Sequence, residues 1–369
     1  MSSSIEDQIK AIEDEIFNTQ KNKATEHHIG KLKAKIARLR NEQEKRRSSG
    51  GKGKGFAVKK SGDATVGIIG FPSIGKSTLL NRLTAASSKI GTYDFTTLDV
   101  VPGVMKYKGA SIQLLDLPGL IVGASKGKGR GKEILSAIRN VDLLLLMVDV
   151  DHLDHLDMIT QELHTAGLRL NQMRPDVVVT PSSQGGITIT STVQLSHIDM
   201  QMIKGIASEF LVNGTIVIRD DITEDQLIDV FSDNREYLPA FVVVNKIDMK
   251  HSHELNSITQ TIKNQGWEVV TISAKTSQAL GQLQEAIFSH LQLIRVYMKP
   301  MGKDPDFNEP LILRIGDTVS DACRQLHRDF IDQFRYAQIW GPSAKHKGQK
   351  VGLDHRLQDT DVLSVILTR

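Results

Sequence analysis

The sequence predicts an α/β protein in which a mostly parallel sheet, flanked by helices, carries three additions: a helical arm before it, an inserted α+β unit and a strand-and-helix module after it. Three observations predict this. Apolar runs at 65–69, 112–115 and 241–244 each lead into a loop of Gly, Asp, Asn or Pro, as expected of parallel strands whose carboxyl ends collect functional loops. The stretch from Val148 to Phe241 is far longer than the one helix and loop that join neighbouring parallel strands. Beyond a helical pattern at 280–293 and a turn-rich linker at 300–310, the tail alternates strand and helix patterns.

In chain order, residues 1–46 come first. Ile5, Ile9, Ile12 and Ile16 repeat at helical spacing, as do Ile29, Leu32, Ile36 and Leu39, with a polar turn around 18–25. These stripes predict an antiparallel helical hairpin whose apolar faces meet each other or the body. Residues 47–62, rich in Ser, Gly and Lys, read as a flexible basic linker. Residues 1–62 hold 15 Lys/Arg against 8 Asp/Glu, which leaves 31 against 35 for the rest of the chain. The net charge of +3 therefore conceals a basic arm on a near-neutral body, and such an arm points to a polyanion such as RNA.

The core is expected at 63–165 and 238–293. Its first strand runs into Gly70-Phe71-Pro72-Ser73-Ile74-Gly75-Lys76-Ser77 and a helix beginning near Thr78, which matches the phosphate loop G-x-x-x-x-G-K-[ST] in its proper strand-to-helix setting. Gly70 and Gly75 let the backbone curl so that N–H groups face phosphate oxygens, and the helix adds its positive end. Lys76 is expected to reach the β- and γ-phosphates and the Ser77 hydroxyl to ligate Mg²⁺. In Asp116-Leu117-Pro118-Gly119, the carboxylate would hold Mg²⁺ through water and the Gly119 N–H would sense the γ-phosphate.

Base choice comes from Asn245-Lys246-Ile247-Asp248. The Asp248 carboxylate accepts from N1–H and the 2-amino group of guanine, and adenine presents neither donor there. Asn245 would tie the loops together, Lys246 would lie along the base, and in Ser273-Ala274-Lys275 the Ala274 N–H would meet guanine O6. The pattern as a whole reads as a P-loop GTPase core that takes GTP or GDP with Mg²⁺. The segment 93–98 lies where a first switch loop belongs, with Thr97 as the second Mg²⁺ ligand and Thr96 as the alternative. Lys76, Thr97 and Gly119 are then the residues acting on the reacting phosphate.

Leu120 follows Gly119, where many signalling GTPases place a glutamine that orients the attacking water. Leucine cannot orient water, so hydrolysis needs another positioning group, a cation such as K⁺, or a partner. Ser73 sits where K⁺-activated GTPases commonly carry an asparagine ligand, which makes K⁺ a candidate.

The residues also carry a resemblance over essentially the whole chain. Gly-Phe-Pro-Ser-Ile-Gly-Lys-Ser-Thr at 70–78, Phe-Thr-Thr-Leu at 95–98 and Leu-Asp-Leu-Pro-Gly-Leu at 115–120 resemble the developmentally regulated GTP-binding proteins, in the Obg-related branch of GTPases. So do Thr-Gln-Lys-Asn-Lys-Ala-Thr at 19–25, Gly-Lys-Gly-Arg-Gly at 127–131 and Trp-Gly-Pro-Ser at 340–343. Val122 departs from the pattern, since relatives often carry glutamate there.

Within the insertion, 166–237, strand patterns fall at 176–180, 186–192 and 215–219 and helical ones at 199–211 and 224–231. The resemblance implies a domain like one in a small-subunit ribosomal protein. The tail, 294–369, reads as strand at 311–314, helix at 319–332 and strands at 336–340, 349–351 and 362–367, which fits a ubiquitin-like β-grasp; the resemblance places a TGS domain there. Trp340 with Lys345, His346, Lys347 and Lys350 either contacts RNA by stacking and charge, or buries its ring while the lysines form a wet loop. The resemblance further implies a switch on translating ribosomes, with RNA and a stabilising or activating protein as partners. The rival readings are an Obg-type ribosome-assembly GTPase and a GTP-gated RNA-binding or scaffold protein with incidental hydrolysis.

Composition excludes other classes. The one cysteine, Cys323, cannot form an internal disulfide, and no Cys/His set has zinc-site spacing. No apolar run approaches the ~18 residues of a membrane span, so a cytoplasmic protein without membrane contact is expected.

Overall fold

The computed structural model describes residues 4–20, 22, 25–48, 62–84, 101–117 and 138–368. Most of the 47–62 linker, the first-switch segment with Thr96 and Thr97, and the stretch holding Gly119, Leu120, Val122 and 127–131 lie outside the described residues. The chain divides into two units, Phe56–Ala166 with Leu238–Arg369 and Met1–Gly55 with Gly167–Tyr237.

In chain order the elements begin with helices α1 (Ile5–Asn18) and α2 (Glu26–Ser48), strand β1 (Ala64–Ile69) and helix α3 (Lys76–Thr84). Strands β2 (Val101–Tyr107), β3 (Ala110–Asp116) and β4 (Leu143–Asp149) follow. Next come β5 (Leu168–Leu170), β6 (Val177–Pro181), β7 (Ile187–Ser191), β8 (Gly214–Ile218) and β9 (Glu236–Leu238). The chain continues with β10 (Ala240–Asn245) and β11 (Val269–Thr271), and then β12 (Leu293–Met298), β13 (Leu311–Arg314), β14 (Phe334–Trp340), β15 (Gln349–Val351) and β16 (Asp361–Leu367).

Six strands form the main sheet in the order β11-β10-β4-β1-β3-β2. Neighbours are parallel except for β2, which runs antiparallel to β3. Every residue of β1, β4 and β10 is buried, the mark of a sheet covered on both faces. Val66, Ile68, Leu145 and Val243 join one core with Leu79 and Leu83 of α3 and Leu283 and Ile287 of helix Leu280–His290. The carboxyl ends of β1, β3, β4, β10 and β11 consequently line up along one edge.

The tail of the same unit forms a five-stranded sheet, β13-β12-β16-β14-β15, whose core of Ile294, Val296, Ala337, Ile339 and Leu363 is closed by Val319 and Cys323 of helix Val319–Leu326. The P-loop GTPase fold and the ubiquitin-like β-grasp expected from the sequence are both present. The element boundaries differ in two places. The helical pattern expected through 293 stops at His290, because Gln292 takes a left-handed φ of 53° and the next residues, Leu-Ile-Arg-Val-Tyr-Met, prefer a strand. The helix expected over 319–332 breaks at His327, whose extended backbone separates Val319–Leu326 from a short turn, Asp329–Asp332.

In the other unit, α1 and α2 pack antiparallel, with Glu13 on Arg40, Glu15 on His28 and Glu6 on Gln43. Ile12, Leu32, Ile36 and Leu39 form their seam. A second face of α2 carries Ala34 and Ala37 into the core of the insertion, among Ile198, Ile203, Ile206, Ile216, Ile218 and Leu227. That core lies between the sheet β6-β8-β7 and helices Met200–Ala207 and Glu224–Ser232. The first of these helices is shorter than the 199–211 pattern: Asp199 caps it through the Met202 N–H. Among the described residues, no helix is long and apolar enough to cross a membrane.

Candidate nucleotide site

The site is assembled at the carboxyl edge of the main sheet. The loop 70–75 leaves β1 and turns into α3, whose first residues are Lys76, Ser77 and Thr78. Three features force its path. A Cβ on Gly70 would lie 2.2 Å from Ile74 Cδ1 and 2.4 Å from the Met147 carbonyl oxygen, so no side chain fits there. Gly75 has φ +98°, and a Cβ on it would lie 2.5 Å from Asn245 Nδ2. Ser73 holds a left-handed φ of 64°. Pro72 and Ser73 are exposed, while Ile74 is buried and anchors the loop from below.

Lys76 Nζ donates to the Gly70 and Phe71 carbonyls, each at 3.0 Å, and so lies across the loop. Burial lowers its pKa from the ordinary lysine value, against the pull of Asp116. Ser77 Oγ donates to Asp116 Oδ2 at 3.2 Å. The other carboxylate oxygen, Asp116 Oδ1, is buried and has no hydrogen-bond partner among the described residues. A hydroxyl beside a carboxylate with one unsatisfied oxygen is a hard-oxygen donor set, and it fits Mg²⁺. Thr97 and Gly119, the other expected contributors, lie outside the described residues.

Asn245 ends β10 and joins two loops. Its Nδ2 donates to the Ile74 carbonyl at 2.7 Å, and its Oδ1 accepts the Ala274 N–H at 2.9 Å. The Ala274 N–H, the group expected at guanine O6, thus donates here to Asn245 Oδ1. Asp248 stands exposed on the turn Ile247–Met249, where Ser273 Oγ donates to its Oδ1 at 2.6 Å and thereby lowers its pKa. Lys275 is exposed beside it.

Three further residues belong to the site, and sequence reasoning missed them. Asp149 ends β4 directly opposite Asn245 in the strand register. Its Oδ2 accepts from Lys246 Nζ at 2.8 Å, and its Oδ1 pairs with His152 Nδ1 at 2.8 Å and accepts the Asp151 N–H at 3.2 Å. Burial pushes the carboxyl upward, but the hydrogen bonds from Lys246, His152 and Asp151 outweigh it and hold the pKa at about 2. The stability from this pairing is complete above the unfolded value of ~3.9 and is lost as pH falls through about 2, so the pairing persists in mildly acidic solution. His155 stacks on Phe71 with ring centres 3.9 Å apart and on His152 at 5.0 Å. The available signal was positional: Asp149 closes an apolar run, as Asp116 and Asn245 close theirs.

Comparison with known proteins covers the same regions. A family described as a 50S ribosome-binding GTPase matches residues 65–180, the C-terminal region of the MMR_HSR1 domain matches 184–293, and the TGS domain matches 294–367. An uncharacterized GTP-binding protein of Methanocaldococcus jannaschii is 54% identical over 366 residues, covering 99% of this chain and 93% of its own. A ribosome-interacting GTPase of Saccharomyces cerevisiae is 46% identical over 373 residues, 99% of this chain and 100% of that protein. Developmentally-regulated GTP-binding protein 1 of Xenopus laevis is 45% identical over 363 residues, 97% and 98% of the two chains.

Proposed function

The chain belongs to the developmentally regulated GTP-binding proteins, a family of GTPases, and from that premise we propose that it hydrolyses GTP to GDP and phosphate with Mg²⁺ as a nucleotide-dependent switch on translating ribosomes. The observation that carries the reading is the Asn245 amide, which binds the phosphate loop and the Ser273–Lys275 turn together and so makes one site of distant segments. In this reading the N–H groups of the 70–75 loop and the start of α3 receive the phosphates, since Gly70 and Gly75 let that backbone follow a path no side chain would fit. Lys76 swings from the carbonyls of Gly70 and Phe71 to the β- and γ-phosphate oxygens, exchanging neutral acceptors for charged ones.

Ser77 and Asp116 hold the metal, which when bound neutralises charge on the phosphate oxygens; Thr97 is proposed as its further ligand and the Gly119 N–H as the γ-phosphate contact. Asp248 accepts from N1–H and the 2-amino group of guanine, pre-oriented by Ser273. The Ala274 N–H, held in the Ser273–Lys275 turn beside Asn245, meets guanine O6.

We further propose the domain division given by the sequence, with the inserted unit akin to a small-subunit ribosomal protein domain and with RNA and a regulatory protein as partners. The name of the yeast relative supports the ribosomal link. The test of the site is Asp248→Asn. An amide there presents a donor to N1–H of guanine, so GTP should bind at least about a hundredfold more weakly and xanthine nucleotide should become the preferred ligand. Competition titration with GDP and XDP reads this directly, and unchanged GDP preference would remove the guanine assignment.

A further inference from the structure

We propose that Asp149 is a positioning residue of the nucleotide site: by gripping Lys246 it fixes that ammonium along the plane of the bound guanine, and nucleotide affinity depends on the grip. The proposal rests on the reading of Asn245–Asp248 as the base loop.

Lysine is a point charge on a flexible stem, so a lysine that must lie along a base needs an anchor at its tip. The backbone of Lys246, in a left-handed conformation with φ 67°, fixes only the root. The tip is fixed by Asp149. The register that sets Asn245 opposite Asp149 brings the carboxylate one strand away from the base loop, although Asp149 and Lys246 are far apart in sequence. The carboxylate is itself immobilised. Its side chain is 5% exposed, Oδ1 is occupied by His152 and the Asp151 N–H, and Oδ2 remains for Lys246.

The same segment also reaches the phosphate loop. His152 stacks on His155, and His155 stacks on Phe71, the residue after Gly70. His155 Nδ1 is buried with no hydrogen-bond partner among the described residues, and its imidazole reaches Phe71 as a flat, stacked ring. Seven residues, 149–155, thus brace the phosphate loop at one end and the base loop at the other.

The experiment is a double-mutant cycle on the full chain, read with fluorescent methylanthraniloyl-GDP. Asp149→Asn keeps the shape of the side chain but removes its charge. It should bind about ten-fold more weakly, through faster release, with a far-UV circular dichroism spectrum that shows the chain still folded. In a Lys246→Ala background, the same substitution should change affinity by less than about two-fold, because the residue it positions is gone.

Equal losses in both backgrounds, or no loss in either, overturn the proposal. If Asp149→Asn does not fold, His152→Ala, which loosens Asp149 from an exposed position, should give a smaller loss that likewise disappears without Lys246; no loss again overturns it. Asp248→Asn distinguishes the two readings. A shift to xanthine nucleotide alongside an indifferent Asp149→Asn rejects the positioning role alone, whereas retained guanine preference rejects the base loop beneath it.

Discussion

Gly75 shows how tightly single residues constrain this site. Its φ of +98° is open to glycine at little strain, and the space a Cβ would need is taken by the Asn245 amide that clasps the Ile74 carbonyl. Gly75→Ala therefore meets two obstacles at once, a left-handed backbone and a displaced clasp. It should lower stability by about 1–3 kcal/mol and weaken GDP binding by more than about ten-fold, measured by urea unfolding and nucleotide titration. Wild-type affinity in that variant would mean that the clasp does not organise the loop. Residues of this kind were legible in the sequence because their constraints are local: a glycine at a fixed offset from a lysine, an aspartate three places after an asparagine. Asp149, His152 and His155 were not. Their contacts, to Lys246 and Phe71, depend on which strands lie side by side, and no spacing along the chain encodes that.

At the scale of elements, α2 is the informative case. One of its faces, Leu32, Ile36 and Leu39, seals the hairpin, and the sequence showed that stripe clearly. The other face was hidden, because Ala34 and Ala37 read as ordinary helix filler; alanine serves equally well on a wet surface or in a close helix contact. In the structure Ala34 is fully buried in the core of the insertion. Ala34→Glu should therefore destabilise this unit by about 3 kcal/mol or more, since a carboxylate would be buried without a partner. Faster limited proteolysis within 167–237 would report it, and wild-type resistance would show that α2 is not part of that core. The same packing engages part of the arm's charge: Lys33 pairs with Glu224 and Asp225, and Arg38 with Glu209, while Arg40 pairs with Glu13 across the hairpin. The sequence showed a basic arm, but it did not show that acids of the insertion meet some of its cations. Strand β12 was missed for a simpler reason, the left-handed Gln292 that ends the preceding helix being one residue with no compositional mark.

Across the whole molecule, the sequence feature with the largest consequence is Leu120 after the Asp116–Gly119 signature. A leucine has no acceptor for an attacking water, and neither Lys76 nor the Ser77–Asp116 pair supplies one, because each is committed to phosphate or metal in the proposed site. In the proposed site, binding and charge neutralisation come from these described residues, while the placement of water falls to another positioning group, a cation such as K⁺, or a partner. Ser73, exposed on the phosphate loop with its left-handed backbone, stands at the position where the sequence makes K⁺ a candidate. A cation there would add positive charge where negative charge develops on the phosphate oxygens in the transition state, an effect that acts on the chemical step rather than on binding. Turnover should therefore be slow in Na⁺, rise several-fold in K⁺ at similar nucleotide affinity, and rise again when ribosomes are added in K⁺. Phosphate release measured in the four combinations of salt and ribosome tests both contributions together. Four equal rates would mean that this chain positions the water by itself, and that the reading of Leu120 is mistaken.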